Sequence, residues 1–128
     1  MTGAELLKDH VDKLSGGDLD GAVAMYQDDA VLHYPGQGPL ARDYRGREEI
    51  KSFFMRVGEL TNGTFSASYV ALFSDQDHEA ALASLSAERE GERHEWKAME
   101  LMRIEDGMIA EHQIFEDDQY ALDRWWGL

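Results

Sequence analysis

The sequence contains no cysteine, which excludes disulfides, thiolate chemistry, cysteine-based zinc fingers and iron–sulfur clusters. This absence fits a reducing compartment, and the chain is expected to be cytoplasmic. No stretch is long or apolar enough to span a membrane. Met1 to His10 carry Glu5, Lys8 and Asp9 within their apolar pattern and do not read as a signal peptide. Basic residues are few, 12 Lys and Arg against 26 Asp and Glu, for a formal charge of −14. Such a surface repels nucleic acid and anionic membranes, because the phosphate contacts that dominate affinity become repulsive. Solubility is the expected use of this charge. There is no repeat, linker or low-complexity segment. With 128 residues, 43% of them hydrophobic, the chain makes one domain, 1–128, with room for a real core.

The pattern of what is present divides the chain in two. Thr2 and Glu5 are spaced as a capping box, Leu6, Leu7, Val11 and Leu14 recur at helical spacing, and Gly16-Gly17 ends that helix. Asp18 caps a second helix whose face carries Leu19, Ala22, Val23 and Tyr26. Ala30 to Tyr34 reads as a short strand that stops at Pro35. A Gly- and Pro-rich loop through Gly46 follows, and Ile50, Phe53, Phe54 and Val57 mark a third helix. After Asn62-Gly63 the chain predicts four strands, roughly 64–74, 78–90, 93–104 and 108–116, and a short aromatic tail from Tyr120 to Trp126. The order α-α-β-α-β-β-β-β is an α+β domain with helices packed on one face of a bent sheet.

Two polar residues interrupt the inward face of the second half. In the strand 93–104 the even positions are the more apolar, so Glu100 is an exception on an inward face. In the last strand His112 is the second exception. A three-residue Glu105-Asp106-Gly107 loop would place Glu100 directly opposite His112, with Cβ atoms about 5 Å apart. A type II′ turn at Gly91-Glu92 would place Ala83 opposite Glu100, leaving a cavity in front of the pair. Burial raises the pKa of an inward carboxyl and a protonated His112 lowers it, so two opposed effects act on Glu100. The plainer reading is a satisfied core ion pair without chemistry. His33, His94, Glu100 and His112 have the residue types of a metal site, but no HExxH-like spacing supports one, and no metal is implied. Phe53, Phe54, Trp96 and Phe115 read as core, Glu116-Asp117-Asp118 as a solvated strand end, and His94 as an exposed residue near a turn.

Five segments carry a resemblance across nearly the whole chain: Gly17-Asp18-Leu19-Asp20, Asp28-Asp29-Ala30-Val31, His33-Tyr34-Pro35-Gly36, Tyr44-Arg45-Gly46-Arg47-Glu48, and Asp106 to His112. On them the chain resembles the nuclear transport factor 2-like superfamily, in its SnoaL-like polyketide cyclase and ketosteroid isomerase-related branch. The resemblance implies a cone-shaped, curved, mixed sheet wrapped on the three helices. The superfold hosts isomerases, cyclases, epoxide hydrolases, dehydratases and non-catalytic binders. By the resemblance, Glu100 takes the place of the isomerases' carboxylic acid on the penultimate strand. Tyr34 takes the place of their general base and His10 that of their helix-one tyrosine. Limonene-type epoxide hydrolases carry an Arg and an Asp where this chain has Ala98 and Glu100, and His33 matches their polar residue before the proline. The catalytic aspartate on the last strand of the hydrolases and cyclases is replaced by Ile114.

The expectation is therefore an enzyme doing acid–base chemistry on a small, mostly apolar, carbonyl- or hydroxyl-bearing metabolite. Glu100 and His112 would exchange protons, and either Tyr34 or His33 would orient an oxygen, since strand neighbours alternate in facing. His10, Phe54, Ala83, Trp96, Met102 and Ile114 are the expected substrate contacts. No cofactor is implied. The alternative is a binding or assembly module of the same shape. Met99 and Leu101 on the outer sheet face, with Trp125 and Trp126 of the tail, are the expected homodimer interface.

Overall fold

The computed structural model describes residues 1–127, and its first half follows the helix signals closely. Helix α1 spans Gly3–Ser15, and the Thr2 side chain accepts the Glu5 N–H as its cap. Helix α2 is a single turn, Leu19–Val23, capped by Asp18. Helix α3 spans Gly46–Leu60 and buries Ile50, Phe53 and Val57. The strands are β1 (Tyr26–Tyr34), β2 (Arg42–Arg45), β3 (Ser66–Ser74), β4 (His78–Arg89), β5 (Glu92–Glu105) and β6 (Met108–Glu116). They form one six-stranded sheet in the order β2-β1-β6-β5-β4-β3. The β1–β6 pairing is parallel and the others antiparallel, so the sheet is mixed. Its inner face, together with α1 and α3, builds the core.

Three expectations about elements need correction. Tyr26 is not on a helix: it opens β1, which is longer than the pattern suggested because Gln27, Asp28 and Asp29 interrupt its apolar alternation. Arg42–Arg45, read as loop, is a short edge strand paired with the end of β1. The aromatic tail is a fourth helix, α4 (Gln119–Trp126), capped by Asp118. It buries Trp125 and Trp126 against the core, which removes both from any exposed interface.

The hairpins keep their facing but change their register. The β5–β6 turn uses two residues, Asp106 and Gly107, both at positive φ (52° and 74°), a conformation that suits glycine and is tolerated by aspartate. Glu105 then pairs with Met108 and Ile104 with Ile109. Continued unchanged, that register would turn His112 outward. A bulge corrects it: the next pair is Arg103 with Glu111, leaving Ala110 as the extra residue. His112 therefore opposes Met102, and Glu100 opposes Ile114. The β4–β5 turn is likewise Glu90-Gly91, so Ala81, and not Ala83, opposes Glu100. Ala83 lies across from Ala98.

Candidate functional site

The inward residues of β5 and β6 form one wall of a cavity of about 60 Å³. Rings of Phe53, Phe54, Phe65, Tyr69 and Trp126 surround it. Its polar groups are few: His10 from α1, Tyr34 from β1, Tyr69 from β3, Trp96 and Glu100 from β5, His112 and Glu116 from β6, and Trp126 near the C-terminus. An apolar cavity with a few converging polar groups is the usual form of a small-molecule site. Among the described residues, no three or more His, Asp or Glu gather as a metal site.

Glu100 and His112 meet as expected, though diagonally across the strands. The His112 Nε2 to Glu100 Oε1 distance is 2.6 Å, and the two side chains are only 3% and 11% exposed. On its other side, His112 Nδ1 lies 2.8 Å from the hydroxyl of Tyr26, which is wholly buried. The phenol needs an acceptor for its proton, so it donates to Nδ1. Nε2–H then donates to the Glu100 carboxylate, and every group in the chain Tyr26–His112–Glu100 is satisfied. Burial, and then the negative charge of Glu100, raise the Tyr26 phenol well above its ordinary range. The same two causes, in the same order, act on Tyr69. Both phenols therefore stay protonated donors at neutral pH.

The other end of the wall holds a group that had read as solvated. Glu116 shares the inward parity of His112 and Ile114, and its carboxyl is raised to about 8, first by burial and then by Glu100. Its Oε2 and Nε1 of Trp96 are buried and make no hydrogen bond of normal geometry, although the Trp96 N–H and the Tyr34 hydroxyl lie close enough to the carboxyl to oppose its upward shift in part. Tyr34 also faces inward, and its hydroxyl accepts from Trp126 Nε1–H at 3.0 Å. His10 is 1% exposed and both ring nitrogens lack partners. Burial, then the proximity of His112, push it down to about 3, so it is a neutral imidazole. Its ring meets Tyr26 edge-on, with centroids 5.2 Å apart.

Of the sequence-predicted residues, the cavity gathers His10, Tyr34, Phe54, Trp96, Glu100, His112 and Ile114. It does not gather His33, Ala83 or Met102. His33 points away, because Tyr34 takes the inward side of β1; its Nδ1 lies 2.6 Å from Asp43 and its Nε2 2.8 Å from Glu111. Ala83 is displaced by the shifted register and is flanked in its row by Tyr69 and Ala98. Met102 is fully buried opposite His112, whose ring lines the cavity in that row. His94 is not free in solvent but stacks between Trp96 and Trp125, at 5.2 and 5.4 Å. Tyr26, Tyr69 and Glu116 were not foreseen. Simple alternation from His112 would have found Glu116. Tyr69 is hidden by the irregularity in β3 after it, and Tyr26 by the acidic residues that follow it.

Comparison with known proteins bears on family and fold. The model of the SnoaL-like domain matches residues 7–112. Bal32a, from a soil-derived mobile gene cassette, is 27% identical over 96% of this chain and 95% of its own, with a TM-score of 0.92. A protein of unknown function with a cystatin-like fold from Xanthomonas campestris is 26% identical over 100% of both chains, with a TM-score of 0.92. A putative polyketide cyclase from Sinorhizobium meliloti shares the fold at 20% identity, with a TM-score of 0.73 over 86% of this chain and 93% of its own. Among curated proteins, none matches significantly.

Proposed function

The chain belongs to the SnoaL-like domain family of the nuclear transport factor 2-like superfamily, and from its cavity we propose an enzyme that performs acid–base chemistry on a small, mostly apolar, carbonyl- or hydroxyl-bearing molecule. The observation that carries this reading is the hydrogen-bonded chain Tyr26–His112–Glu100, which ends in a mostly apolar cavity. Tyr26 fixes the imidazole so that Nε2–H holds one oxygen of Glu100. The other oxygen is left to take a proton from a guest, and the desolvated site strengthens each charge-bearing contact. Neutral His10 offers one donor and one acceptor beside the same spot. Isomerisation, aldol-type cyclisation and dehydration all need this proton transfer next to an oxygen. A polyketide cyclase-like fold neighbour agrees with that class.

The test is Glu100→Gln and His112→Ala, assayed against a panel of polyketide-like ketones. Turnover should fall by about 10²-fold or more in each, the usual worth of a positioned acid or base. Full activity in both variants would remove the assigned roles, and a bound but unaltered molecule in native mass spectrometry would favour a binder.

One observation favours an added assembly role. On the outer sheet face Ala71, Leu82, Met99 and Phe115 stand in one cross-strand row, with Phe73, Ala80 and Leu101 in the next. Phe73, Met99 and Phe115 are exposed. We propose that this stripe pairs two copies of the chain, without Trp125 or Trp126. Light scattering should report a dimer that Met99→Glu converts to a monomer; a wild-type monomer at high concentration would refute it.

A further inference from the structure

The cavity has a second polar end that the proton-transfer reading leaves unused. Glu100 opposes Ile114 on β6, and Ile114 is flanked on its strand by His112 on one side and Glu116 on the other. Glu116 opposes Ala98, so Trp96, two residues earlier on β5 and on the same inward face, is its diagonal neighbour. Diagonal neighbours lie about 7–8 Å apart, and His112 and Glu116 are about 13 Å apart along their strand. At the first end the Tyr26–His112–Glu100 hydrogen bonds use both nitrogens of His112 and one oxygen of Glu100, leaving the other oxygen and His10 for a guest. The second is looser: Trp96 Nε1 and Glu116 Oε2 are buried and make no hydrogen bond of normal geometry, with the Trp96 N–H and the Tyr34 hydroxyl close to the Glu116 carboxyl but not seated on it. Buried polar atoms without partners carry the full cost of desolvation until something fills them.

We propose that Trp96 and Glu116 form a recognition subsite for a second, uncharged oxygen, so that the ligand is a flat, two-ended molecule bearing a hydroxyl or carbonyl at each end. Trp96 can only donate, so the ligand atom must be an acceptor. Glu116 supplies the second contact, donating as an acid to a carbonyl or accepting from a hydroxyl. The aromatic walls receive the body between the two oxygens, with Phe65 and Tyr69 among them. An anion is disfavoured, because the lining contains two carboxyl groups and no Lys or Arg. The inference rests on the proposed site in one respect: the free oxygen of Glu100, with His10 beside it, receives the first oxygen of the ligand.

The probes are 2,6-dihydroxynaphthalene and 2-naphthol, which share a two-ring body and differ by the oxygen at the far end. In the wild-type protein the diol should bind about tenfold more tightly, the increment of one to two net hydrogen bonds. Trp96→Phe keeps the ring packing and removes the N–H, and Glu116→Leu removes the carboxyl. Each should bring the affinity ratio to within about twofold of one, whichever way the mono-ol enters. A wild-type ratio near one, or a tenfold ratio that survives both substitutions, overturns the subsite. Turnover measured on Glu100→Gln separates the two ideas. If the ratio is absent while Glu100→Gln still abolishes turnover, the subsite fails alone. If the ratio is present and Glu100→Gln is fully active, the subsite stands and the proton-transfer reading fails.

Discussion

His112 and His33 come from adjacent strands and are each held 2.6 Å from a carboxylate, yet they face opposite sides of one sheet. Inside, His112 and Glu100 are almost completely shielded, so little solvent competes for their hydrogen bond. Outside, His33 bridges Asp43 and Glu111 with its side chain 31% exposed. Partial burial pulls the His33 pKa down, but the hydrogen bonds to Asp43 and Glu111 outweigh it and raise the group above 6.5. His10, close to His112 and without a carboxylate partner, is driven the other way. Distance alone therefore says little about what a histidine does here. The solvent around the pair decides whether it is a surface clasp or part of a working site.

Three measurements would break or sharpen this contrast. The largest effect is expected for His112→Ala, which leaves the Tyr26 hydroxyl and the Glu100 carboxylate unpaired in the interior. It should cost about 3 kcal/mol in urea denaturation, as for other broken buried pairs. A cost below that of an exposed pair would mean that water already reaches Glu100.

The next effect concerns Glu116, which is inward on the strand that also carries outward Glu111. Its carboxyl titrates near 4.5 when free and about 8 in the folded protein. Between those values the native state holds the extra proton, so stability falls as pH rises through this window. Glu116→Gln removes that dependence. Relative to the wild type, the variant should gain on the order of 2 kcal/mol between pH 4.5 and 8, read from denaturation curves at several pH values. Parallel curves for the two proteins would place Glu116 in solvent.

The smallest effect is expected for His33→Asn. The raised pKa means that the clasp contributes fully below about pH 6.5 and is lost as pH rises through the folded value. The loss on substitution should stay under about 1 kcal/mol at pH 6 and vanish by about pH 9. A loss as large as that of His112→Ala would show that exposure does not separate the two pairs.

Much of the fold was legible because it is encoded locally. Thr2, Asp18 and the Ile50–Phe53–Val57 spacing specify helices by hydrogen bonds and periodicities within a few residues. The inward facing of Glu100 and His112 followed from alternation, and it survived because the β4–β5 register moved by an even number of residues and the Ala110 bulge restored the parity that the two-residue β5–β6 turn reversed. The bulge at Ala110 was not legible: nothing in Gly107-Met108-Ile109-Ala110 distinguishes a two-residue turn with a bulge from a three-residue turn. Glu116 was misjudged because Asp117 and Asp118 made it look like part of a charged end. The choice between His33 and Tyr34 needed the partner strands, since β1 alone presents one residue to each side.

By itself the sequence determined the helices, the hairpins, the scarcity of positive charge and the placing of a carboxylate and an imidazole on one apolar face, since each depends only on near neighbours along the chain. Tertiary structure alone decided that Tyr26 would hold His112, that Trp96 and Glu116 would face one cavity, and that α4 would bury its two tryptophans. Those outcomes depend on which distant segments exclude water from one another, and desolvation is a property of the assembled fold.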